Sequence, residues 1–399
     1  MWIIKYLVLI GILAIHFFIS SCSNLIETSI TEWEVENDSF VSDLLISDID
    51  LTVVDDSLYV AVASRVDGIV ANGVVTQYKL TDFGWEVEGD SGFTAGNSTE
   101  LNQFYWENEL YVSGVQGTVS SGTPFLYTYD GFNWEDNIGS GVSSEIISGA
   151  TFLTYNGTLY SVYRYSNDLF IKSQNATFGD WTFIQDDPFQ DDPIVDYVSE
   201  FHVNINSVAD STTSSIWVAY RDEDVNGELS VSLFDLEGDS DNQELIGEQG
   251  FSDEGITSPY LTWVNEVLTV SYLNESSGLE IWQHVDSEWE RYNDETAITG
   301  PITSYQLVSH NDIFYVAYKM TSDENKLVVV IYDDDEWDVV GDVTVSEGTR
   351  SGTGLVVGAG TETSGTVSAF DMVVTDDYIY VGYGDVDAGG KAIVKTFER

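Results

Sequence analysis

Three dipeptides pair an aromatic ring with a cation at matched places: Tyr163-Arg164, Tyr220-Arg221 and Tyr318-Lys319. Each cation is the fifth residue after the start of an apolar run, at Leu159, Ile216 and Phe314, and Arg65 lies two positions further along an earlier run. These are four of only 13 basic residues in the chain, three at one offset and all near the same end of the second strand. Arg presents a planar fork of donors that matches a carboxylate or sulfate, so a ring of such residues points to anion capture. The competing reading is intrachain pairing with some of the 68 acidic residues, which alone is worth little at a surface.

A second group has oxygen ligands. Asp222, Asp224 and Asn226 alternate ahead of Gly227, as in the first half of a calcium loop. Leu233 stands where a bidentate Glu belongs, which excludes an EF-hand. A shorter calcium loop and a plain turn both stay open, as they do for Asp385, Asp387, Gly389 and Gly390. His202, His284 and His310 lack metal-ligand spacing, and nothing places a Ser, His and Asp together, so no catalytic residue is assigned.

The elements that must position these groups recur. An apolar-aromatic strand start appears seven times, at Leu58, Leu110, Leu159, Ile216, Leu268, Phe314 and Ile379. A turn rich in Asp, Asn, Gly or Ser precedes it and an earlier strand precedes the turn, often with Ser or Thr eleven residues upstream (Ser47, Thr99, Ser148, Thr257, Thr303, Ser368). A third strand follows, and Trp85, Trp134, Trp181, Trp289 and Trp337 mark a fourth, which in the fourth repeat is Glu244 to Gly247 without a Trp. Four strands in about 50 residues are one blade of a β-propeller. The last repeat ends after its third strand, and Glu32-Trp33-Glu34-Val35 has no repeat ahead of it. The fold expected is therefore all-β: a seven-bladed β-propeller over 28–399, its ring closed by pairing of the N- and C-terminal strands. Asp186 to Ser199 and Val343 to Gly365 break the rhythm as long connections.

Residues 1–21 form a targeting segment, with Lys5 ahead of an apolar run too short to span a membrane comfortably. Ile19-Ser20-Ser21-Cys22 resembles the bacterial lipobox, and Cys22 is the only cysteine of the chain. That resemblance implies acylation of Cys22, a short tether over 22–27 and a place in the cell envelope, expected at the outer membrane. A cleaved signal with an incidental Cys is the alternative. With one Cys there is no internal disulfide, so the core must supply the stability. The sequons at Asn37, Asn97, Asn156, Asn175 and Asn274 read as turn residues.

The formal net charge of -55 repels nucleic acid and anionic headgroups, which excludes a nucleic-acid partner, and suits a saline medium that screens it. The tract Tyr-Asp-x-x-x-Trp with a following Gly-Phe-Ser/Thr (Gly92-Phe93-Thr94, Gly250-Phe251-Ser252) resembles the degenerate repeats of secreted bacterial seven-bladed propellers, broadly similar to Kelch and sialidase-type rings. The sialidase resemblance would make Arg164, Arg221 and Arg350, with Tyr163 or Tyr220, the candidate site. No stretch matches the Asp-box of that family. The reading is an envelope-anchored monomer serving as a non-catalytic binding platform for a protein or polysaccharide of the envelope or exterior, with no cofactor beyond a calcium ion. Its alternative is a carbohydrate-active propeller, lectin or sialidase-like hydrolase.

Overall fold

Alternation of apolar strands and tight polar turns folds the chain into seven four-stranded antiparallel sheets, one after another, in a computed structural model. The structure describes residues 34–35, 41–42, 44–65, 73–118, 121–138, 147–175, 181–183, 198–206, 215–236, 243–276, 278–292, 298–320, 326–333, 336–340, 355–357, 367–386 and 388–399. Cys22, Trp33, Arg350, Asp387 and nearly all of the two long connections lie outside these residues, and so do the signal and tether segments.

The first strands of blades one to seven are Leu45–Val54, Ser98–Trp106, Ala150–Tyr155, Val198–Asn206, Thr257–Val264, Ile302–His310 and Val367–Val374. Each adjoins the next, and the seventh adjoins the first, which makes them the inner wall of a ring. The second strands begin at or beside the recurrent apolar start and are buried on both faces: Val60, Ala61, Val62 and Ala63 are all fully buried, and so are Phe314 to Ala317. Neighbouring blades cover them from either side, which removes the usual alternation of apolar and polar residues. In the seventh blade Glu34–Val35 pairs with Lys391–Glu398, Glu34 opposite Thr396 and Val35 opposite Lys395, so the two ends of the chain close the ring as expected. Blade six departs from the repeat. Leu355–Val357, from within the second long connection, pairs with Leu327 to Val329, while Glu336–Val339 takes the remainder of that edge.

The Ser/Thr ahead of each run sits at the mouth of the ring, where several first strands carry a register shift. Ser47, Thr303 and Ser368 donate there to the carbonyls of Ala63, Lys319 and Gly384, and Ser148 accepts from Arg164 Nε at 2.8 Å. The outer strands are interlocked by their tryptophans. Trp134, Trp181 and Trp289 donate through Nε1 to Glu88 O, Ile138 O and Ile246 O of the preceding blade, at 2.8, 2.6 and 2.8 Å. Phe93 stacks on Trp134 and Phe251 on Trp289, both at 4.5 Å between ring centres. Gly247 lies directly under the Trp289 ring with φ of 78°, and a Cβ there would come within 2.5 Å of the indole. The Gly-Phe-Ser/Thr tract is thus a staple between blades, with Thr94 Oγ1 accepting from Val75 N and Ser252 Oγ accepting from Leu229 N.

Candidate functional site

One side chain from each blade meets at a single level of the central channel. The residues paired with the third position after each apolar start are Asp50, Asn102, Thr151, His202, Tyr260, Gln306 and Asp371, opposite Ala61, Ser113, Val162, Ala219, Ser271, Ala317 and Gly382. All seven are polar or amphipathic. An inner strand is a sheet edge with unpaired N–H and C=O groups, and this ring serves them. Asp50 accepts Gln103 N at 2.8 Å, Asn102 donates to Phe152 O at 3.4 Å, and His202 Nδ1 accepts Leu261 N at 3.2 Å. Gln306 Oε1 accepts Met372 N at 2.5 Å while its Nε2 donates to Asp371, whose other oxygen accepts Leu51 N at 2.6 Å. In each case the ring side chain reaches the residue one past the ring in the next blade. Asn204 makes an equivalent bond one tier down, to Leu261 O.

The electrostatics follow from crowding carboxylates on one axis. Burial pushes Asp371 up to about 7 and Asp48 up to about 6, against the backbone donors that lower them. Burial, reinforced by the negative charge of Asp371, raises Asp50 well above its ordinary value. Burial also pushes the His202 imidazole down to about 4, so it is neutral at pH 7. With Nδ1 held as an acceptor by Leu261, the ring proton is on Nε2.

Above the ring, towards the loops that link one blade to the next, a second tier is acidic. Asp48 accepts Leu101 N at 3.0 Å, Glu200 accepts Ser258 N, and Glu100 accepts the Ala150 N–H. Arg164 lies half-buried at this mouth, where desolvation depresses it and the charges of Glu100 and Glu200 oppose that shift. Its Nε bonds Ser148 Oγ at 2.8 Å and its Nη1 bonds Val198 O at 3.4 Å. Glu100 and Ser258 at the same mouth hold φ of 56° and 52°, a left-handed backbone uncommon outside glycine and asparagine.

The other residues singled out by sequence distribute as follows. Lys319 Nζ reaches Val367 O at 3.5 Å, the counterpart of Arg164 reaching Val198. Arg221 pairs instead with Glu223 at 3.1 Å. These cations are therefore engaged within the chain. Tyr163, Tyr220 and Tyr318 are buried in three inter-blade core clusters, Tyr163 stacking on Phe170 at 5.6 Å. Of Arg65 the structure places the backbone, paired with Leu45 and Gly73. Asp222 caps a short 3₁₀ turn: Oδ1 accepts Asp224 N at 3.0 Å, and Oδ2 accepts Ser230 Oγ and Gln249 Nε2 at 3.1 and 2.9 Å. Asp224 and Asn226 are exposed, Asn226 in the left-handed region that ends the turn. Among the described residues no group of three or more His, Cys, Asp or Glu is arranged to hold a metal.

What the mouth and ring leave unspent lies at blades four to six. His202 and Tyr260 are in ring contact, 4.0 Å between centres. Neither His202 Nε2 nor the Tyr260 hydroxyl makes a hydrogen bond among the described residues. Burial pushes Tyr260 up to about 12, with the Asp371 charge as a lesser cause, so it stays a neutral donor. Beside it Tyr305 bonds Ser258 O and Ser271 Oγ, both at 2.9 Å, tying blade six to blade five.

No protein-family model and no curated protein sequence matches the chain. Solved structures do match in shape. An ulvan lyase of polysaccharide lyase family 25, bound to a GlcA–Rha3S oligosaccharide, superposes with a TM-score of 0.52 at 10% identity, covering 92% of this chain and 98% of that one. The Trypanosoma rangeli sialidase in complex with sialic acid gives 0.48 at 12% identity; the alignment covers 92% of this chain but 58% of that enzyme. The SapL1 lectin in complex with α-methyl fucoside gives 0.48 at 14% identity, covering 77% of this chain and all of that one. At these identities the likeness is one of fold, and the chain is a seven-bladed β-propeller whose neighbours in shape include sialidase and lectin propellers.

Proposed function

We propose that the chain is a carbohydrate-binding propeller of the bacterial envelope, held to the outer membrane by acylation of Cys22, with its glycan site at the channel mouth over blades four to six. One observation supports the reading: at His202 and Tyr260 the polar ring turns from sealing strand edges to an imidazole N–H and a phenol on two aromatic rings in tilted contact, with Glu200 bonded to Ser258 beside them. Aromatic faces with a few placed donors and carboxylate acceptors suit a hydroxyl-rich, uncharged sugar. A polyanionic glycan fits less well. The mouth cations are engaged, His202 is neutral, and the chain carries a net charge of -55.

Binding without turnover is the better match. Asp371, raised by burial to about 7, has both oxygens tied to Gln306 and Leu51. The test is an array of neutral and acidic polysaccharides in saline buffer with reducing ends assayed in the same wells. Retention of neutral glycans without new reducing ends supports the reading. Release of reducing ends makes the protein a polysaccharide-cleaving enzyme, and silence across the array redirects the search to a protein partner.

A further inference from the structure

Each blade has two ends. One carries the blade-to-blade connections and Arg164. The other carries the turns between first and second strands and between third and fourth strands, and there the exposed aromatics concentrate. Phe83 and Phe132 occupy the third-to-fourth turns of the adjacent blades one and two and are 94% and 81% exposed. They are not loose. Asp130 Oδ1 accepts both Phe132 N and Asn133 N at 2.7 Å, and Thr81 Oγ1 accepts Phe83 N at 3.2 Å, so each turn is built to hold its ring outward. Tyr105 and Tyr378, also exposed, flank the first turns of blades two and seven.

The direction of the closing strand ties this arc to the N-terminal segment. Lys391–Glu398 runs towards the turn face, and Glu34 pairs with Thr396 while Val35 pairs with Lys395. The chain therefore enters blade seven from the turn face, and blade seven adjoins blade one. The twelve residues from Cys22 to Trp33 reach at most about 40 Å when extended. A lipid on Cys22 is thus within reach of the arc that presents Tyr378, Phe83, Tyr105 and Phe132.

From this juxtaposition we infer that the turn face of blades seven, one and two is a membrane-docking surface, seated on zwitterionic phospholipid with Phe83 and Phe132 at headgroup level and the channel mouth facing away. The inference rests on the acylation of Cys22 proposed above. Aromatic residues favour the membrane–water interface. The choice of zwitterionic lipid follows from Asp55, Asp56, Asp82, Glu107, Asp130, Asp376 and Asp377, which share this face and repel anionic headgroups.

The experiment uses the full chain in phosphatidylcholine vesicles carrying nitroxide-labelled lipid. Acylated Cys22 takes no dye, so Asp82→Cys reports on the turn face and Val386→Cys on the opposite face. The expected result is flotation with the vesicles, strong quenching at position 82 by nitroxide placed at headgroup depth, and none at 386. Replacing Phe83 and Phe132 by Ser should reduce the quenching while flotation persists. Flotation with equal quenching at both positions, or none at 82, overturns the docking surface and leaves the lipid anchor standing. Shielding of position 82 from aqueous iodide without lipid quenching means a second copy covers the face, which also overturns it. Failure to float removes the anchor and the inference together.

Discussion

The Asp371 carboxylate accepts the Leu51 N–H at 2.6 Å, joining residues 320 positions apart and blade seven to blade one. With its second oxygen on Gln306, this side chain bridges three consecutive blades at the axis. Asp371→Ala should orphan a buried amide and a buried amide side chain, and cost about 1–3 kcal/mol in urea unfolding. An unchanged midpoint would show that the ring closes without this contact.

The same buried acids give the fold an unusual pH dependence. Asp371, near 7, and Asp48, near 6, hold protons in the folded state that the unfolded chain releases near 4, as does Asp50, which is also raised. Their stabilisation is complete below about pH 4 and is lost as pH rises through 6 and 7. His202 acts the other way: folded near 4 and unfolded near 6.5, it loses stability as pH falls between those values. Three raised carboxylates outweigh one imidazole, so unfolding midpoints in high salt should be higher near pH 5 than at pH 8. Asp371→Ala should flatten that slope, whereas a merely structural loss would lower the curve uniformly.

At the rim, the Phe251–Trp289 stack should matter more than any ion pair. Phe251→Ala should cost on the order of 3 kcal/mol by leaving a void beside the indole. Trp289→Phe should cost about 1 kcal/mol by orphaning the Ile246 carbonyl. Breaking the exposed Arg291–Asp253 pair with Asp253→Asn should change the thermal midpoint little.

Ring closure through Glu34–Val35 predicts that deleting residues 28–40 sharply lowers the melting temperature, since the third strand of blade seven then becomes an unpaired edge. Thermal melts of the two forms at equal salt check this. Coincident curves would mean that the other six blades carry the stability alone.

The sequence made the ring readable because every repeat carries the same apolar start, turn and Trp, and closure followed from the complementary ends. The Gly-Phe-Ser/Thr tract was visible as a pattern, but its part in stacking against the next blade's Trp was not. The polar channel ring was partly written in the sequence: Asp50, Asn102, Thr151, Tyr260, Gln306 and Asp371 each stand eight residues ahead of their apolar start. His202 stands fourteen ahead, because more residues separate the first two strands in blade four. Six residue types over seven positions at one level defeat a search for repeated identity; only the pairing register brings them together. The Arg and Lys pattern was real but its meaning differed by position: Arg164 and Lys319 reach the next blade's first strand, and Arg221 turns to Glu223. The tyrosines beside them point the other way, since neighbours on a strand face opposite sides.

Titration calorimetry of a neutral oligosaccharide against the intact protein, Tyr260→Phe and His202→Ala tests the central claim most directly. The glycan-site account predicts binding by the intact protein and roughly a tenfold or greater loss when the unpartnered phenol oxygen is removed from a bonded contact, with thermal stability of Tyr260→Phe unchanged. Undiminished affinity in both variants would place any sugar site elsewhere on the ring and contradict the account.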